Sequence, residues 1–294
     1  MYLIEIYVIM TNEIRRKVVT IMKLSNNLNL QQLLDSDWSN QFNKAQLEEI
    51  RKGIAQDVNV NYADPSIKPE KMTVLRLALR EGINLLEYAH DFSKDQLEVI
   101  LKGAMHKVDY TVYADTKYSA SQMDIIVQGL VLGVDVDKYL DPRFDYERMK
   151  VILKGLVHDV DVSVFAKLKY SYTQMYVICE ELIAGNDVSK LDNHLYSAAM
   201  MRTLNEILIY TGFDLFKYAD AGYTLSQIEQ IEHGLKIKAP LELYESIEFD
   251  HLQMNQIIRG YANGIDVTQY ASPEVSWIEM KRIREKLRKE GKKK

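Results

Sequence analysis

The residues best suited to chemistry in this 294-residue chain are recurring carboxylates, six histidines and one cysteine. Their spacing decides whether they can act together. Asp109, Asp135, Asp161, Asp187, Asp214 and Asp266 hold one equivalent position of a repeat, which Pro240 fills once. Paired carboxylates can run general acid–base chemistry, but acids repeated at the start of a helical turn are better placed to cap backbone N–H groups. Asp57-Val58-Asn59-Val60-Asn61 begins like a calcium loop. Tyr62 then stands where that loop needs glycine, and Lys68 where it needs a bidentate glutamate, so calcium is rejected. His90, His106, His158, His194, His233 and His251 form no HxxxH or HExxH pair. His106 and His158 are equivalent positions two repeats apart, and helix packing predicts roughly 20 Å between them. No metal and no cofactor is expected. Cys179 shares its position with Leu101, Val127 and Leu153, which reads as a buried thiol rather than a nucleophile. Glu180, Glu181 and His194 fall in the least regular stretch, 180–208, and are the acid–base candidates if the chain is an enzyme. No Walker loop, GxGxxG or GxSxG occurs. The favoured expectation is a protein without catalytic residues.

The elements that must position these groups repeat about every 26 residues, the range of stacked helical architectures. In the unit from Tyr118 to Phe144, Ser119 and Gln122 predict a capping box, and Tyr118 and Met123 the hydrophobic staple around it. Met123, Ile126 and Leu130 share one helical face, Gly133 suits a left-handed helix end, and Asp135 caps a second, short helix that Pro142 stops. The short-helix aromatic recurs as Tyr62, Tyr88, Tyr113, Tyr139, Phe165, Leu191, Tyr218, Tyr244 and Tyr270. If the units are equivalent, Tyr88, Tyr139 and Tyr244 should lie in like surroundings. The Met123 position runs Leu47, Met72, Leu97, Met123, Met149, Met175, Arg202, Ile228, Met254. The mid-helix small position runs Gly53, Ala78, Gly103, Gly129, Gly155, Glu181, Leu208, Gly234, Gly260. Glycine there costs about 1 kcal/mol against alanine, and close approach of the neighbouring helix is the expected reason.

The fold expectation is all-α: an α-solenoid of about nine two-helix repeats, one long and one short helix each, with divergent terminal caps. Residues 1–42 are assigned to an N-terminal extension and cap, 43–275 to the repeats, and 276–294 to a capping helix and basic tail. Residues 1–10 are apolar but too few to span a bilayer, Met10 offers an alternative start, and Thr11 to Met22 reads as a helix. A single cysteine fits a reducing cytoplasm. The net charge of −5 hides an asymmetry: residues 281–294 carry nine basic and two acidic side chains, so the remaining 280 residues carry −12. Such a body disfavours nucleic acid along the repeats and favours a protein partner, basic ones especially.

Two surfaces stand out for a partner. Tyr146 and Tyr172 occupy the same first-turn position in adjacent repeats, with Tyr176 one turn on. Leu101, Val127, Leu153 and Cys179 form an apolar row, with Met105, Val131, Val157 and Ile183 one turn further. That band reads either as a groove for a partner segment or as a thicker core. His194 is retained as a further contact candidate.

The pattern aromatic-[S/T/D]-x-x-Q-M-x-x-I-x-x-G-L with a V-D-V-x-x-Y-A-D-P-like turn, carried by Ser119 to Pro142, resembles short helical repeats in uncharacterised proteins of low-GC Gram-positive bacteria and their mobile elements. The likeness covers roughly residues 43–290, and 180–208 departs from it. It implies an α-solenoid and an accessory or counter-defence setting, and brings no catalytic residues. The leading functional expectation is a protein-binding scaffold. An inhibitor acting as an acidic nucleic-acid-mimicking decoy and an enzyme with its site in 180–208 are the alternatives.

Overall fold

The computed structural model describes residues 36–291; the readings made for residues 1–35 and for Lys292 to Lys294 lie outside them. The described chain is all-α. Its longer helices are α1 (Lys44–Ala55), α2 (Pro69–Arg80), α3 (Lys94–Met105), α4 (Ala120–Leu132), α5 (Tyr146–Val157), α6 (Tyr172–Ile183), α7 (Ala198–Thr211), α9 (Leu225–Lys236), α10 (His251–Ala262) and α11 (Trp277–Gly291). Between successive long helices the expected short helix is a single three-residue 3₁₀ turn, such as Val136–Lys138, except after α7, where α8 (Phe216–Asp220) is a short α-helix. The described chain divides at Leu153 and Lys154, inside α5, into two compact units. In the first, α1 packs on α2, α2 on α3 and α3 on α4; in the second, α6 packs on α7, α7 on α9, α9 on α10 and α10 on α11. Among the described residues no helix is long and apolar enough to cross a membrane.

The long helices start where the sequence puts polar caps. Asn43, Ser93, Ser119, Ser171, Thr224 and Asp250 each accept from the amide three residues on, and the glutamine there accepts from the cap's own N–H. The glutamine does more than the capping box requires. Gln122 Nε2 donates to the carbonyls of Pro142 and Phe144, at 3.0 and 2.7 Å, in the turn that leads into the next helix. Gln46, Gln174, Gln227 and Gln253 repeat the pair of bonds. In α2, which has lysine there, the Lys71 ammonium reaches the Ala89 and His90 carbonyls instead. A glutamate could complete the box but has no N–H to donate.

The mid-helix glycines answer to a different neighbour from the one expected. The group that crowds them is the aromatic of their own unit, not the next helix. A Cβ on Gly53, Gly103, Gly129 or Gly260 would fall 1.8–1.9 Å from the hydroxyl of Tyr62, Tyr113, Tyr139 or Tyr270 respectively. These hydroxyls reach helix carbonyls: Tyr62 bonds to Glu49 at 2.8 Å, Tyr139 to Ile125 at 3.3 Å and Tyr270 to Gln256 at 3.2 Å. In these units the glycine opens a slot and the tyrosine fills it and satisfies its own O–H, whereas Tyr244, in the slot of Gly234, has its hydroxyl buried without a hydrogen bond. Burial holds the Tyr270 phenol up at about 12.

Where the slot closes, the aromatic changes. Ala78 replaces glycine, and Tyr88 turns outward to meet Phe92 and Tyr110 edge-on, at 5.3 and 6.1 Å between centroids. Tyr139 and Tyr244 are fully buried and Tyr88 is half-exposed, so the equivalence expected of the three fails at Tyr88. In the unit of α6, where Glu181 holds the glycine position, the aromatic position holds the smaller, buried Leu191.

The register around α7 also needs correction. Ser197 caps α7 by accepting from the Met200 amide at 3.1 Å, which places the buried Met201 four residues past the cap, not Arg202. The glycine-equivalent residue becomes Ile207 rather than Leu208. The one-residue expansion of this repeat sits within α7, which runs to fourteen residues and ends at the left-handed Gly212.

Candidate functional site

Backbone capping uses the recurrent aspartates. Asp109, Asp135, Asp161, Asp187 and Asp266 accept from the amide two residues on at 2.8–3.2 Å, and Asp214 does so at 3.3 Å. The hydroxyl and amide of Thr111 hold the Asp109 carboxyl below its usual value, and those of Thr268 do the same for Asp266. Asp109 and Asp266 are therefore ionised acceptors at neutral pH.

The 180–208 stretch disperses its candidate acid–base groups. Glu180 pairs with Lys154, while Glu181 accepts from Asn186 at 2.7 Å and from the buried Asn205 at 2.9 Å. His194 is exposed, and its carbonyl accepts from Gln174 at the opposite end of α6. Gln174 and Glu180 are separated by roughly 9 Å along the helix axis. The structure therefore does not bring the His194 segment to the two carboxylates. Cys179 is buried, and that burial pushes its thiol up to about 11. Among the described residues no three His, Cys, Asp or Glu side chains are grouped to hold a metal ion.

The apolar band separates into an inner and an outer row. Leu101, Val127 and Leu153 are buried and offer no surface to a partner. On α2 the same position holds Arg76, which forms a buried ion pair with Glu49 at 3.0 Å, whereas Arg51 on α1 is exposed. One turn on, Met105, Val131 and Val157 are 57, 49 and 49% exposed. In the first unit Tyr146 is half-buried, with the Lys150 ammonium 5.8 Å from its ring centre. In the second, Tyr172 and Tyr176 share one exposed face of α6, and the Lys154 ammonium lies 4.7 Å from the Tyr176 ring centre.

A further feature escaped the sequence reading. α7 and α9 border an open groove of about 350 Å³, lined by Glu206, Ile207 and Tyr210 on one side and Glu229, Glu232 and Lys236 on the other. Tyr210 is 82% exposed. No family model, no curated protein and no solved structure matches this chain.

Proposed function

We propose that this chain is a non-enzymatic protein-binding scaffold, an α-solenoid of about nine units whose long helices present side chains left over from packing. The observation that carries the reading is the tyrosine pair on α6. Tyr172 and Tyr176 stand outside a core already filled by Met175, Ile178 and Cys179, and the neighbouring Lys154 holds the Tyr176 ring in place. A tyrosine with an ordered apolar ring and a water-tolerant tip is a common interface anchor. The supporting chemistry is negative for the acid–base candidates of 180–208: Glu180 is engaged with Lys154, and Glu181 with Asn186 and Asn205, rather than aimed together with His194 at open space.

The test is capture of proteins from cell extract on the immobilised full chain, compared with a Tyr172→Ala, Tyr176→Ala double variant of unchanged melting temperature. A partner held by the parent and lost by the variant is the expected result. Identical capture by both, or by neither, overturns the assignment of this face.

A further inference from the structure

We propose that the groove between α7 and α9 receives an arginine side chain of a partner polypeptide. This deepens the scaffold reading and rests on it, but uses a surface separate from the α6 tyrosines. The groove's volume, about 350 Å³, lies at the low end of ligand sites. It suits one or two side chains rather than a whole helix. Its walls select their charge. Glu206 on α7 and Glu229 on α9 have no ion-pair partner among the described residues, whereas Glu232 is bound to Lys236 at 2.5 Å. The one lysine in the lining is thus already committed, and two carboxylates from opposite walls remain unneutralised in the same concavity. Both attract a cation entering the groove and repel an anion.

The aromatic wall selects among cations. Tyr210, in the groove lining with the buried Ile207, leaves its ring free to solvent. A guanidinium is planar, stacks on an aromatic face, meets a carboxylate through two parallel N–H bonds and sheds water more readily than an ammonium. Lysine can satisfy the charge but not the stacking. A metal ion would need converging ligands, and no such group occurs among the described residues.

The experiment is fluorescence anisotropy of a labelled peptide of alternating arginine and glycine, and of its lysine counterpart, titrated with the full chain at about 50 mM salt, where exposed charges are weakly screened. Glu206→Gln with Glu229→Gln should weaken the arginine peptide about tenfold, as expected from losing two exposed pairs. Glu248→Gln with Glu274→Gln, two exposed carboxylates outside the groove, removes the same charge and should change affinity less than about twofold. Tyr210→Ala should remove the preference for arginine over lysine. Equal weakening by the two charge pairs, no preference between peptides, or no binding by the parent chain each overturns the proposal. The Tyr172→Ala, Tyr176→Ala variant should bind the peptide like the parent, so failure of the α6 reading and failure of this one are read separately.

Discussion

A single missing Cβ explains the most regular feature of the chain. Gly129 leaves room for the Tyr139 ring, whose hydroxyl bonds back to Ile125, so the glycine and the tyrosine ten residues later act as one device. The alanine of α2 and the turned-out Tyr88 show what happens when half of the device is changed. Gly129→Ala should therefore destabilise the protein by roughly 1–3 kcal/mol through overpacking, despite the about 1 kcal/mol that alanine ordinarily gains inside a helix. Adding Tyr139→Leu, the residue type found at Leu191 in the unit whose glycine position holds Glu181, should recover part of the loss. Urea unfolding of both single variants and the double variant measures the coupling, and additive effects would dismiss the device. The glycine period was legible in the sequence. The identity of the group it admits was not, because a sequence shows that space is needed without showing who occupies it.

Between elements, the recurring link is the first-turn glutamine of α1, α4, α6, α9 and α10. Its oxygen completes its own cap and its nitrogen reaches two carbonyls of the following turn, so capping and stacking depend on one amide. Gln122→Glu keeps the acceptor and deletes the donor, leaving the carbonyls of Pro142 and Phe144 facing a carboxylate. The expected cost is about 1–3 kcal/mol, whereas the same change would be nearly silent if the residue only capped. Chemical denaturation of the variant beside Ser119→Ala, which loses the cap alone, separates the two roles. The capping box could be read from Ser119 and Gln122 because it lies within one turn of chain. The longer bonds span some twenty residues and needed the fold to bring their ends together. α7 shows the same limit. Its cap, Ser197, is visible in the sequence, yet the place of the extra residue was set by which methionine the neighbouring helices bury.

At the scale of the molecule, its carboxylates make stability depend on acid. Hydrogen bonds from Lys169, then Tyr170 and Lys167, hold Asp192 far below the usual carboxylate range, and Asp109, Asp141, Asp187 and Asp266 are lowered by their own donors. Each binds its proton less readily folded than unfolded. Its contribution is therefore complete above the unfolded value of about 4 and is lost as pH falls through the folded one. The urea midpoint should stay level from pH 7 to about 5 and drop below about 4. Asp192→Asn should make that drop shallower. A midpoint unchanged down to pH 3 would mean that these bonds contribute nothing to the folded state.

Helix content, the repeat period, the caps and the apolar faces were all determined by the sequence alone, because each arises from contacts within a few turns of chain. The sorting of apolar side chains into interior and surface was decided only by the tertiary structure. Leu101, Val127 and Leu153 are enclosed while Met105, Val131 and Val157, one turn away, meet water. The same holds for the groove beside Tyr210, which exists because α7 and α9 lie next to each other. Periodicity tells which residues share a helix face; only the packing of a second helix tells which part of that face is left uncovered.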